Sequence, residues 1–107
     1  MATEVQSKGT IQITGIAADW DWGTVMTDFP NDVRLASITF VPGAANDKLI
    51  VKEDSAAGAV IMHALCLDTD EKIKYFYGTK HSPYVDFSDC ILSAGHMVII
   101  DLWSTGA

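Results

Sequence analysis

The sequence predicts one all-β domain, an antiparallel β-sandwich of jelly-roll or immunoglobulin-like type with about seven strands. Apolar residues recur at every second position in several short segments, and Gly, Pro, Asn and Asp punctuate the chain between them. No long stretch sustains the i, i+3, i+4, i+7 spacing of an amphipathic helix. The 107 residues suit one core, and 49% of them are hydrophobic, with many β-branched Ile and Val among them.

Residues 1–9 are polar and aperiodic and read as a flexible N-terminal arm, with Val5 as its main apolar side chain; residues 10–107 form the single domain. The first strand is residues 10–14, where Thr and Gln alternate with Ile. Residues 17–32 break the alternation with turn residues and form the longest irregular stretch. Residues 33–41 return to strand character, with Val33, Leu35, Ser37, Thr39 and Val41 on one face and Arg34, Ala36, Ile38 and Phe40 on the other. Pro42-Gly43 ends that strand. Residues 49–52 and 59–65 flank a short polar loop and predict a hairpin. Residues 72–77 place Ile73, Tyr75 and Tyr77 opposite Lys72 and Lys74, which predicts half-burial. Residues 78–84 read as a loop, 85–87 as a short strand, and 96–103 as a long strand that is apolar on both faces and therefore lies inside a sheet.

Charge and motif content exclude several functions. Fourteen acidic against seven basic side chains give a net charge of −7, and the scattered lysines with the lone Arg34 do not make a phosphate-binding surface. Nucleic acid and anionic membranes are therefore not expected partners, and no apolar run approaches the length of a bilayer span. The N-terminus lacks the basic start and apolar stretch of a signal peptide, so a cytosolic origin is the expectation. Cys66 and Cys90 have neither zinc-ribbon nor Cys-x-x-Cys spacing and are expected as free thiols. His63, His81 and His96 lie too far apart to make the close pair typical of a zinc site. Asp68, Asp70 and Glu71 invite a calcium reading, but Ile73 stands where an EF-hand loop requires glycine, so a solvated hairpin tip is the simpler account. No nucleophile elbow and no phosphate-cradling glycine motif is present, so no catalytic, metal-binding or cofactor-binding residue is assigned.

The segment Asp19-Trp20-Asp21-Trp22-Gly23 is the most unusual feature, with two indoles alternating with two carboxylates. Exposed, Trp20 and Trp22, with Tyr84, would make an aromatic platform for a sugar ring or a protein anchor. The alternative is that both indoles cap one end of the core while the carboxylates face water.

Two stretches, Leu35-Ala36-Ser37-Ile38-Thr39-Phe40-Val41-Pro42-Gly43-Ala44-Ala45-Asn46-Asp47-Lys48-Leu49-Ile50-Val51-Lys52 and Lys74-Tyr75-Phe76-Tyr77 followed by Ser82-Pro83-Tyr84-Val85-Asp86-Phe87-Ser88-Asp89-Cys90, resemble segments of small β-sandwich virion structural proteins of tailed bacteriophages and prophages. The resemblance implies a non-enzymatic virion component, such as a capsid decoration protein or a small head or tail subunit, made in the host cytoplasm. Such a chain acts through protein–protein contacts in a symmetric homo-oligomer and with capsid or tail subunits. Candidate interaction residues are Trp20, Trp22, Val5 and Tyr84. The competing expectation is a carbohydrate-binding β-sandwich module built on the aromatic platform.

Overall fold

The computed structural model describes residues 2–30 and 32–103. Among these residues the chain forms nine strands, one α-helical turn and one 3-10 turn (Phe87–Asp89): β1 (Thr3–Ser7), β2 (Thr10–Thr14), β3 (Trp20–Asp21), α1 (Trp22–Val25), β4 (Val33–Val41), β5 (Lys48–Glu53), β6 (Val60–Leu65), β7 (Lys72–His81), β8 (Pro83–Val85) and β9 (Met97–Leu102). Two antiparallel sheets pack together, a five-stranded sheet ordered β1-β2-β9-β4-β7 and a four-stranded sheet ordered β3-β8-β5-β6. From β2 onward the pairing has one logic: β2 meets β9, β3 meets β8, β4 meets β7 and β5 meets β6. This is one long antiparallel ribbon folded on itself and rolled, the jelly-roll arrangement of the β-sandwich, with β1 added as an outer strand.

The sequence accounts for most of these strands, and the structure departs from the expected pattern in four places. The expected hairpin over residues 49–65 is β5 paired with β6, with Lys48 opposite Leu65. The strand expected to lie inside a sheet is β9, held between β2 and β4. The expected free arm, by contrast, is β1, and it pairs with β2 from Thr3 opposite Thr14 to Ser7 opposite Thr10. The reason lies in Lys8-Gly9, whose φ angles of 50° and 90° satisfy the two positive positions of a tight hairpin turn. In β4, a register shift between Leu35 and Ser37 moves the core face from Leu35 to Ile38 and Phe40, so the predicted two-face assignment holds only before the bulge. β7 extends to His81 through Tyr77 and Gly78, both at positive φ, where a loop was expected. Residues 17–32, expected as irregular, contribute β3 and α1, and the count rises from about seven to nine strands.

Ile11, Ile13, Leu35, Ile38, Phe40, Leu49, Val51, Val85, Val98 and Ile100 fill the space between the sheets, all at most 2% exposed. Cys66 is buried and Cys90 half-buried, both as free thiols, and desolvation pushes both thiols up from their ordinary value. Among the described residues no helix is long and apolar enough to cross a membrane.

One end of the roll is closed by the buried carboxylate of Asp47. Its Oδ2 accepts from the backbone N–H of Gly43 at 2.9 Å and of Ser93 at 3.0 Å, and its Oδ1 accepts from the Ser93 hydroxyl at 2.6 Å. The backbone of the same turn pairs with Cys66, through Asn46 N–H to Cys66 O and Cys66 N–H to Asp47 O. His96 completes the closure: Nε2 accepts from Ile16 N–H at 3.0 Å, and Nδ1 lies 2.9 Å from Ser93 O. Desolvation alone would raise the Asp47 carboxyl, but the bonds from Ser93, Gly43 and Ala44 outweigh it and hold the group below its ordinary value of 3.8.

Replacing Asp47 with Ala leaves buried donors unpaired and lowers unfolding free energy by about 2–4 kcal/mol, read from the urea midpoint at pH 7. The ion's contribution is complete above the unfolded carboxyl value and is lost as pH falls through the depressed folded value. The stability gap between wild type and Asp47→Asn therefore holds above pH about 4 and narrows in stronger acid.

Candidate functional site

The two sheets present very different outer faces. On the four-stranded sheet the outward row runs Asp21, Tyr84, Lys52 and Val60 across β3, β8, β5 and β6. Lys52 is matched locally, and Val60 and Leu65 on the β6 edge are exposed. Lys52 Nζ lies 2.7 Å from Asp86 and 2.9 Å from Asp89, and these bonds push Lys52 up to about 12. The Tyr84 hydroxyl donates to Asp19 at 2.6 Å, which pushes Tyr84 up to about 12, and Asp19 also accepts from Phe87 N–H.

The five-stranded sheet has an outer face of another kind. One cross-strand row is Val5, Gln12, Ile99, Thr39 and Ile73; the next is Ser7, Thr10, Asp101, Ser37 and Tyr75; a third is Thr3, Thr14, Met97 and Val41. Across these three rows Asp101 is the sole charged residue, and its carboxylate accepts from Thr10 at 2.7 Å and from Ser37 at 3.3 Å. Val5, Tyr75, Tyr77 and Trp103 are each more than half exposed, Ile73 is 45% exposed, and the rings of Tyr75 and Tyr77 lie 6.2 Å apart. Trp103 lies against Gly78, where an added Cβ would meet the indole at 3.1 Å. This apolar, aromatic and hydroxyl-rich sheet face is the candidate site. Its chemistry is that of an interface centre, where charged residues are depleted and aromatic ones enriched.

The structure separates the four residues expected to interact. Val5 stands on this face, on β1. Trp20 and Trp22 do not: they are 3% and 0% exposed and pack edge to face at 6.3 Å. Their indole N–H groups are satisfied inside the protein, Trp20 by Glu4 at 3.0 Å and Trp22 by the Pro30 carbonyl at 2.9 Å. Strand alternation explains the pattern that suggested a platform. Trp20 points inward from β3, Asp21 points out and caps α1 by accepting from Gly23 N–H and the Thr24 hydroxyl, and Trp22 enters the core from that turn. Tyr84 lies half-buried on the opposite sheet, so the expected three-ring platform does not form.

Sequence reasoning missed Tyr77, Met97, Ile99 and Trp103 as surface residues. For Met97 and Ile99 the signal was present, since β9 is apolar on both faces and only one face can meet the core; on β7 the expected faces are reversed, with Phe76 buried on the side of Lys72 and Lys74 and Ile73, Tyr75 and Tyr77 exposed. It also missed a hydrogen-bonded chain at the other end of the roll. His81 Nδ1 lies 2.8 Å from Glu53 Oε1 and Nε2 lies 3.0 Å from Thr79 Oγ1, while Glu53 Oε2 accepts from Ser82 N–H. The order resembles an acid–base–hydroxyl relay, but the Thr79 hydroxyl donates to Phe76 O at 2.9 Å, so its proton is directed at the backbone instead of the imidazole. The group pins the corner where β7 leaves one sheet and β8 enters the other.

The three indoles give a direct check on this placement. Acrylamide is expected to quench one red-shifted tryptophan component, and Trp103→Phe removes that component while the blue-shifted emission of Trp20 and Trp22 remains. Loss of the quenchable component in Trp20→Phe instead would contradict the assignment.

Comparison with known proteins finds no protein-family model, no curated protein and no solved structure that matches this chain.

Proposed function

We propose that this chain is a non-enzymatic assembly subunit that docks against a neighbouring protein subunit through the outer face of its five-stranded sheet. The observation that carries the reading is the contrast between the two outer faces. One sheet pairs Lys52 with Asp86 and Asp89, whereas the other exposes Ile73, Tyr75, Tyr77 and Trp103, with Asp101 in its middle already bonded to its neighbours and Arg34 and Lys80 at the end beside Trp103. Burial of the rows around Ile73 and Tyr75 against protein releases water from apolar area at about 25 cal/mol per Å2, and the one charge in those rows, Asp101, is already hydrogen-bonded.

The resemblance of residues 35–52, 74–77 and 82–90 to tailed-phage structural proteins supplies the setting: a virion component, built in the host cytoplasm, whose partners are capsid or tail subunits. The carbohydrate-binding alternative rested on Trp20 and Trp22 as exposed stacking surfaces, and both indoles lie in the core. A rolled sandwich serves many functions, so the fold by itself supports neither reading over the other.

The test uses particles assembled by the genome that encodes the chain. Quantitative mass spectrometry of purified particles is expected to find the chain in fixed stoichiometry. Ile73→Asp with Tyr75→Asp, both at exposed positions, keeps the melting temperature within a few degrees and removes the chain from particles. Absence of the wild-type chain from particles, or full incorporation of the double variant, overturns the proposal.

A further inference from the structure

β7 carries a tight loop inside the strand. β4 pairs Leu35 with Thr79 and Ser37 with Tyr75, and between those pairs β4 has Ala36 alone while β7 has Phe76, Tyr77 and Gly78. The surplus residues turn out with φ of 52° at Tyr77 and 82° at Gly78, left-handed backbone that a tyrosine keeps only where its surroundings hold it. Three contacts hold it here. Thr79 Oγ1 donates to Phe76 O at 2.9 Å, Arg34 donates to Gly78 O at 3.1 Å, and the Trp103 indole packs against Gly78. The loop sets the exposed Tyr77 beside Tyr75 on the face that docks in the reading above.

The first of these contacts is tied to the protons on His81. A threonine hydroxyl has one proton, and while Phe76 O receives it, Thr79 Oγ1 can only accept from His81 Nε2, 3.0 Å away. The other ring nitrogen, Nδ1, faces Glu53 Oε1 at 2.8 Å, and an ionised carboxylate also only accepts. Both ring nitrogens must donate, so these contacts are those of an imidazolium. A neutral imidazole donates from one nitrogen alone. Glu53 takes that proton at Nδ1, because a bare Nδ1 would set lone pair against lone pair. Nε2 then becomes an acceptor, and the Thr79 hydroxyl turns away from Phe76 O to fill it.

Glu53 is the charged group that touches the ring. Lys80 and Arg34, one step along β7 and β4, stand on the opposite side of the sheet from His81 and its partner Val33, and Asp32 and Asp54 are exposed and form no ion pair with it. His96, at the other end of the roll, has the reverse requirement, since its Nε2 accepts from Ile16 N–H and its ring is neutral.

We infer that His81 is a proton switch for the docking face: its imidazolium leaves the Thr79 hydroxyl free to tie down the Tyr77 loop, and its neutral ring draws that hydroxyl away. The inference rests on the sheet-face reading and adds its regulation. The tied loop binds the proton more tightly than the released one, so mild acid favours the docking face and rising pH weakens it across the pH range of about 5–8 where histidines titrate. Thr79 is open to water, which places the effect on docking affinity near the lower end of one hydrogen bond's worth, about two- to threefold.

Nitrogen-15 NMR of the histidine rings in the isolated chain, titrated over pH about 5–8, reads the switch. In acid both His81 nitrogens are expected to carry protons. At the alkaline end Nδ1 keeps its proton and Nε2 is bare, and the Tyr77 and Gly78 amide signals move with the same midpoint. The exposed His63 and the buried His96 give separate ring signals, so a response that follows either of them is told apart. Thr79→Val is expected to leave the His81 titration in place and to uncouple the two amides from it, whereas Thr79→Ser keeps the coupling. Where Thr79→Val does not fold, the wild-type titration decides. A neutral His81 ring that retains the Nε2 proton, amides that do not follow its midpoint, or coupling that persists in folded Thr79→Val overturns the inference. None of these readings involves a partner. The sheet-face reading is judged separately, by incorporation of the Ile73/Tyr75 variant into particles.

Discussion

The Asp47 carboxylate is the constraint on which the closed end of the roll depends. A rolled ribbon brings connections from distant parts of the chain to one end, and each arrives with backbone groups that a strand ladder no longer satisfies. Asp47 gathers the turn after β4 and the segment before β9 through Gly43, Ala44 and Ser93. Cys66 brings in the connection after β6 and His96 the one after β2. A charged acceptor suits this role because it takes several donors at once and each bond is stronger than a neutral one. Among the described residues no buried side-chain polar atom is left without a partner.

Closure at that end, together with the Glu53–His81–Ser82 corner at the other, fixes the sheets so that cross-strand rows are set from edge to edge. The candidate surface follows from those rows. Ile99 meets the outer face only because β9 is held between β2 and β4 in a register that places Ile100 in the core. Val5 joins the same row through the β1–β2 turn. The face is therefore assembled from residues far apart in sequence, and its rigidity means a partner meets a surface already organised, with little ordering entropy left to lose on docking.

Much of the fold was legible in local patterns. Period-two alternation located six of the longer strands, and the polar loop over residues 53–58 marked the β5–β6 hairpin. The rest depended on backbone detail that side-chain type encodes weakly. Lys8 adopts positive φ although lysine has no special liking for it, so β1 read as a loose arm. The bulge in β4 inverts the face of every residue after it, which no alternation count can register. The site was less legible than the fold. Trp20 and Trp22 drew attention because aromatic residues among carboxylates look exposed, yet a two-residue strand followed by a cap sends both indoles inward. The informative clue was quieter: Met97, Ile99 and Trp103 gave β9 a second apolar side, and the sandwich geometry left that side without a cover.

The central claim is that the outer face of the five-stranded sheet is covered by protein when the chain is at work. Hydroxyl-radical footprinting of the free chain and of the same chain in its assembled state reads this most directly, because Tyr75, Tyr77 and Trp103 are both exposed and highly reactive, while Tyr84 on the other sheet serves as an internal reference. The account predicts that oxidation of Tyr75, Tyr77 and Trp103 falls several-fold on assembly and that Tyr84 changes little. Equal oxidation of the three residues in the free and assembled states would contradict it.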